Sequence, residues 1–263
     1  MKIIAAVLAF IGLAFADFAS ANAIVTSAAG TVQVQALGAA PRTLRQGDEV
    51  ARGSTVITGP SSTAVLRFTD GQIAALTGNS RMTVTEYDYN ANTGRGSILL
   101  SLVQGGMRAI TGLIGRNTPE RVSYRAATAT IGIRGTDVTI ITDQGQVLVT
   151  VTDGAVSFTF QNQTVIIRAG EAIHAKPDGT FSRGAVMQIQ NELLKTPFGQ
   201  QLLDALGGLL GLTDAVNQAR GGSPGRPPFV PADEVPPGPP STTPGPGGPP
   251  GGGAGGGGPA SRS

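Results

Sequence analysis

Between Ile24 and Phe181 apolar and polar residues alternate with a period of two. Val32 and Val34 alternate with Gln33 and Gln35; Ala64, Leu66 and Phe68 alternate with Val65, Arg67 and Thr69; Val147, Val149 and Val151 share one face. A period of two puts alternate side chains on one side of a sheet, so these runs predict strands. Valine and threonine dominate them, as a pleated, half-buried surface prefers. Ala64–Leu66 and Val147–Val149 are apolar on both faces, which predicts strands lying between two layers. Pairs with turn chemistry separate the runs: Gly47-Asp48, Asp70-Gly71, Gly105-Gly106, Gln144-Gly145, Asp153-Gly154 and Asp178-Gly179. Each is read as a turn, because type I′ hairpins need positive φ. The expectation is an all-β sandwich or roll of short, mostly antiparallel strands over residues 24–181.

One run is broken from within. Ile131 and Ile133 alternate into Arg134-Gly135-Thr136-Asp137, and the strand resumes through Val138, Ile140 and Ile141. A glycine inside a strand marks a bulge or a close backbone approach where a Cβ would clash. Arg134 and Asp137 are expected to form an ion pair or backbone hydrogen bonds at that bulge, with an exposed recognition pair as the alternative.

From residue 184 the period changes. Val186, Ile189 and Leu193 stand at helical spacing. Pro197 ends that helix, and Thr196-Pro197 is read as the start of a second one. Its apolar face is Leu202, Leu203 and Leu206, with Gly207-Gly208 as its stop, and a short helix follows near Thr213–Arg220. Helices this short persist only when docked on the β-domain or on a partner. Residues 221–263 are almost all Gly, Pro, Ser and Thr, which predicts a disordered tail.

Composition sets the address. Lys2 and the apolar run Ile3–Phe15 resemble a secretory leader over residues 1–23, too short to span a bilayer. Ala21-Asn22-Ala23 reads as an A-x-A cleavage site, with the mature chain starting at Ile24. Export to the periplasm or cell surface follows. The chain has no cysteine and a single histidine, so thiol chemistry is excluded and most metal sites with it. A formal net charge of +2, with 14% charged residues, is too thin for a nucleic-acid footprint.

Candidate chemistry is sparse. Asp48 and Asp70 are read as turn-formers that bond nearby amides. Asp70, Asp153 and Asp178 stand singly beside glycines, unlike the dense oxygen ligands of a calcium loop. His174 is read as a surface or rim residue. Thr111–Arg116 is glycine-rich but lacks the P-loop lysine, and reads as a flexible hairpin connection. No cofactor site is expected.

Several segments together resemble the FecR domain family. They are L-R-Q-G-D-E-V-A-R-G-S-T-V-I-T-G at 44–59, A-V-L-R-F-T-D-G-Q-I-A-A-L at 64–76, G-N-S-R-M-T-V at 78–84, S-L-V-Q-G-G-M-R at 101–108, I-G-I-R-G-T-D-V at 131–138, V-T-D-G-A-V-S-F at 151–158 and I-R-A-G-E-A-I at 167–173. The resemblance implies an exported all-β module whose motif residues are Gly47, Asp48, Asp70, Gly71, Arg134, Gly135, Thr136, Asp137, Gly154 and Gly170. In founding members the exported half reads an outer-membrane receptor, and a cytoplasmic half controls a sigma factor. This sequence shows only a leader-like segment and no spanning helix, so it resembles the stand-alone exported members. The leading expectation is a non-enzymatic domain that binds an envelope protein or a glycan, with a possible part in envelope signalling. The alternatives are a self-associating surface protein, and a hydrolase built from Asp48, Glu49, Asp70, Asp137 or His174.

Overall fold

A computed structural model describes residues 22–221; the tail, and the leader apart from Asn22 and Ala23, lie outside the described residues. Within them the alternation becomes strand. The first half holds β1 (Ala23–Ala29), β2 (Val32–Gln35), β3 (Arg42–Thr43), β4 (Glu49–Val50), β5 (Thr55–Thr58), β6 (Thr63–Phe68), β7 (Ile73–Leu76), β8 (Arg81–Asn90) and β9 (Arg95–Ile110). After a short helix, α1 (Leu113–Asn117), come β10 (Val122–Ala126), β11 (Ala129–Asp143), β12 (Gln146–Phe160), β13 (Gln163–Arg168), β14 (Glu171–Ala175) and β15 (Phe181–Ala185). The helices α2 (Val186–Leu193), α3 (Phe198–Gly211) and α4 (Thr213–Ala219) close the described chain.

All these strands join one mixed sheet, antiparallel except where β10 runs parallel to β9. Most strands are short. Three are long, and each is shared between two layers. β9 pairs with β8 and β10 over its first part, then with β7 and β11. β11 pairs with β10 up to Gly132, then with β9 from Asp137. β12 pairs with β14 over Val147–Thr150 and with β13 over Ala155–Phe160. A strand that changes layers must bend, and each does so at a glycine with positive φ: Gly105 (93°), Gly135 (58°) and Gly154 (75°).

Two expected turns are therefore bends. Gly105-Gly106 and Asp153-Gly154 lie inside β9 and β12. A tight turn and a strand corner ask the same freedom of a glycine, so sequence does not separate them. Gln144-Gly145 does form the β11–β12 hairpin, with φ of 46° and 79° as in a type I′ turn. Asp178-Gly179 turns between β14 and β15, where the Asp178 carboxylate accepts from Thr180 N (2.9 Å) and Oγ1 (2.7 Å).

The main core lies between the layers. Leu66, Met107 and Val138 meet Leu100, Tyr124 and Phe158 there, all at most 1% exposed. The strands apolar on both faces also have cover outside. Ile141, Leu148 and Ala172 lie under α2 and α3; Val65, Ile73 and Ala75 lie under α4.

The second helix differs from the sequence reading. α3 continues through Gly207 and Gly208 to Gly211, and its buried face is Phe198, Leu202, Ala205 and Leu209, leaving Leu203 half exposed. Docking offsets the helix penalty of the glycines, about 1 kcal/mol each. At Gly208 a Cβ would sit 3.2 Å from the Cβ of Thr77, so glycine lets the helix approach the sheet. Thr196 does not cap α3; its hydroxyl donates to Leu193 O at the end of α2 (2.7 Å). Among the described residues no helix is long and apolar enough to cross a membrane.

Candidate functional site

The motif residues do not gather at one place. Gly47 and Asp48 form a separate turn, with Gly47 at φ 89°. There the Asp48 carboxylate accepts from Arg45 N (2.8 Å) and pairs with Arg42 (3.3 Å). Gly170 (φ 82°) makes the β13–β14 turn, donating to Val151 O (2.9 Å). The rest, from Asp70-Gly71 through Arg134–Asp137 to Gly154, converge at one corner of the sheet.

That corner is built on Asp70, which is 1% exposed. It does form the expected local bond, its Oδ1 accepting from Gln72 N (3.1 Å). It also reaches across the fold. The Tyr87 hydroxyl donates to Oδ1 (3.2 Å), and Ile114 N donates to Oδ2 (3.3 Å), while Leu113 N donates to the Asp70 carbonyl (2.9 Å). These bonds fix the start of α1, so Thr111–Arg116 is an anchored helical turn, not a flexible connection. Burial raises the Asp70 pKa against the lowering pull of these donors. Burial likewise pushes the Tyr87 and Tyr124 hydroxyls up, and Asp70's charge adds to both.

At the bulge the register shifts between Arg134 and Asp137, opposite Ala155 and Asp153. Gly135 is there for its φ: a Cβ built on it meets nothing within 4 Å. The close approach expected at Gly135 belongs to Gly154, where a Cβ would overlap the Gly135 carbonyl. Thr136, buried, donates its N–H to Thr111 Oγ1 (2.7 Å), and Thr111 N returns a bond to Thr136 O (3.0 Å).

Arg134 and Asp137 are not a pair. Asp137 takes both prongs of Arg108 (Nε–Oδ1 2.8 Å, Nη2–Oδ2 2.7 Å) and one contact from Arg220 (3.3 Å), its side chain 9% exposed. The β11 bulge turns Asp137 away from its neighbour, and the facing strand β9 supplies Arg108 instead. Arg134 stays exposed on the rim.

Beside the bulge lies a cleft of about 480 Å³. Its floor follows a row across five strands: Arg67 opposite Ile73, Ile73 opposite Ile110, Ile110 opposite Asp137, Asp137 opposite Asp153. Gly71, Thr111, Arg116 and Gly135 form one rim, and Ala219 and Arg220 at the end of α4 the other. The volume lies in the range of ligand-binding pockets. A second hollow, about 670 Å³, lies beyond the bulge over Gly132, Ser157 and Thr159, with Arg116 and Arg134 at its edge.

His174 is not a rim residue. It is 4% exposed, its Nε2 lies 3.0 Å from Gln146 Oε1, and its ring stacks on Phe198 of α3 at 5.4 Å. Burial, helped by Lys176, lowers its pKa. The five residues of the hydrolase reading are thus held apart or engaged: Asp48 on Arg42, Asp70 inside, Asp137 on Arg108, His174 beneath α3, and Glu49 on β4.

Sequence reasoning missed Arg67, Arg108, Arg116 and Arg220 as site residues. The first two had a signal, each being the lone charge in an otherwise apolar stretch (Leu66-Arg67-Phe68, Met107-Arg108-Ala109). Arg220 had none, since α4 reaches this corner only through the fold.

The corner lies in a segment that resembles a known family. The FecR protein family model matches residues 54–157, a span holding the bulge, Asp70 and all of the cleft except Ala219 and Arg220. That span is therefore similar to the FecR family. The motif blocks at 44–53 and 167–173 fall outside the matched span. No curated protein matches the chain. Two crystal structures of a candidate anti-sigma factor from Parabacteroides distasonis are similar in fold. One has 15% identity and a TM-score of 0.45, covering 57% of this chain and 71% of that one. The other has 14% identity and a TM-score of 0.43, covering 60% and 74%.

Proposed function

We propose that this protein is a non-enzymatic, exported binding module that engages a protein partner in the bacterial cell envelope and serves envelope signalling. One observation carries the reading. The FecR signature residues are spent on backbone shape and anchoring, and they hold open a preformed cleft edged by exposed arginines. Recognition needs such a surface; catalysis needs a nucleophile with a base, and the candidate groups are engaged elsewhere. A photo-crosslinking side chain in place of Arg134, in the full exported chain, tests this. It should give a discrete adduct with an envelope protein that the same group at Leu37, in the exposed β2–β3 loop, does not. Equal adducts from both positions, or adducts with cytoplasmic proteins alone, would refute it.

The start of β1 bears on leader removal. Ala23 is fully buried opposite Val50 and Phe68. Asn22 donates to Val50 O (3.2 Å), its carbonyl accepts from Thr69 N (3.0 Å), and its Oδ1 accepts from Arg52 N (2.6 Å). A cut after Ala23 would discard all of these. A cut after Ala19-Ser20-Ala21, also an A-x-A site, would keep them. N-terminal sequencing of the exported protein is expected to begin at Asn22; a start at Ile24 would show that the sheet forgoes these bonds.

A further inference from the structure

We propose that the cleft beside the bulge binds a short peptide segment carrying an acidic side chain next to an apolar one, with the carboxylate held by Arg67 and Arg116. This rests on the protein-binding reading above and names the chemistry of the contact.

The charge balance of the cleft is the starting point. Four arginines and two aspartates belong to this corner: Arg67, Arg116 and Arg220 line the cleft with Asp137 and Asp153, and Arg108 stands on Asp137. Asp137 is already engaged twice. Arg67 and Arg116 make no ion pair among the described residues, and both are exposed. A guanidinium fork matches a carboxylate in two parallel bonds, which favours an oxyanion from a partner.

The row on the floor then narrows the ligand. Reading along it, Arg67 comes first, Ile73 and Ile110 follow, and Asp137 and Asp153 end it. The cleft is cationic at one end, apolar in the middle and acidic at the other. A polyanion such as a nucleic acid or an anionic lipid surface would meet Asp153, which has no ion-pair partner among the described residues. A single carboxylate with a small aliphatic neighbour satisfies the Arg67 end and covers the half-buried Ile110, Ile73 being already buried under α4.

The far rim can respond. Arg220 holds Asp137 by one contact of 3.3 Å, with 42% of its side chain exposed, while Arg108 holds the same carboxylate by two shorter bonds. Arg220 can therefore leave Asp137 for a bound carboxylate without stranding that aspartate. Since Arg220 lies beyond the FecR match, the C-terminal extension completes the cleft from outside the domain.

The test uses the full exported chain and an N-terminally fluorescein-labelled, C-terminally amidated Gly-Glu-Leu-Glu-Leu peptide in fluorescence polarisation, with the amidated Gly-Gln-Leu-Gln-Leu peptide, which has no carboxylate of its own, as the control. Saturable binding of the acidic peptide alone is expected. Arg67→Gln/Arg116→Gln should weaken it about tenfold or more at unchanged melting temperature, since neither arginine has a partner to lose. Arg220→Gln should weaken it less. Three results would overturn the proposal: no saturable binding, equal binding of the neutral peptide, or binding indifferent to the double substitution. Displacement by inorganic phosphate at lower concentration than by glutarate would overturn the carboxylate assignment in favour of a phosphoryl group. The crosslink at Arg134 is read separately. An envelope adduct that survives Arg67→Gln/Arg116→Gln keeps the protein-binding reading and removes this one. Peptide binding without any adduct does the reverse.

Discussion

Gly154→Ala is expected to lower the unfolding free energy by about 3–4 kcal/mol, whereas Gly135→Ala, at the other glycine of the same bulge, costs about 1 kcal/mol. Both have positive φ, 75° and 58°, so both alanines carry left-handed strain. Only at Gly154 does the new methyl strike something. Its nearest neighbours are the Gly135 carbonyl and the Arg134 carbonyl oxygen, all backbone, and no rotamer change can clear them. At Gly135 the space is open. Over about 200 folded residues the difference amounts to a melting temperature roughly 10 °C lower for Gly154→Ala than for wild type, against a few degrees for Gly135→Ala. Thermal unfolding followed by circular dichroism checks it. Equal shifts for the two would mean that the strands do not meet as closely as described.

The second large effect is at Asp70. Asp70→Ala removes the acceptor for Tyr87 Oη, Gln72 N and Ile114 N, all in the interior. A buried donor left without a partner costs about 1–3 kcal/mol, and relief of the desolvated carboxylate returns part of that. A net loss of about 3 kcal/mol is expected, lowering the melting temperature by roughly 6–12 °C. A shift below about 2 °C would mean that water replaces the carboxylate without cost.

Asp70 also has a pH signature. Its folded pKa lies above the ordinary value of 3.8, so the folded protein holds that proton more tightly than the unfolded chain does. Its contribution is full below the ordinary value and declines as the pH rises through the raised one. Glu171, bonded to Arg168 N and Arg183, and Asp178, bonded to Thr180, are shifted down and work in the opposite sense, losing stability as the pH falls. Comparison with Asp70→Asn isolates the Asp70 part, because the other groups cancel. The stability lead of wild type over Asp70→Asn should narrow from about pH 4 to 7. A lead that widens over that range would show that the carboxylate is held charged.

What the sequence disclosed follows from the range of each interaction. Period-two runs disclosed the sheet, and strands apolar on both faces, such as Val65 with Leu66, disclosed a cover on the outer side. The bulge at Gly135 was legible because a glycine interrupts an otherwise continuous strand. Its near neighbour was misjudged: Asp153-Gly154 has the grammar of a hairpin, and only the facing strand shows that the chain bends there. Asp70 looked like a turn residue, and locally it is one. Its bonds to Tyr87 and Ile114 span 17 and 44 residues and have no local mark. Arg134 and Asp137 were natural partners by proximity in the chain, yet in a strand close neighbours diverge and the partner comes from across the sheet. The cleft was least legible, since its floor takes one residue from each of five strands.

The sharing of β9, β11 and β12 between the layers bears on how the molecule comes apart. No seam runs through it that severs only hydrogen bonds: besides the loops that join the layers, any path separating them must cut three continuous strands, at Gly105, Gly135 and Gly154. The halves are pinned like leaves on a hinge, and neither can be shed while the other keeps its shape. Heat or pulling should therefore take the β-body apart as one object, and the cleft it frames should vanish all at once rather than loosen by degrees.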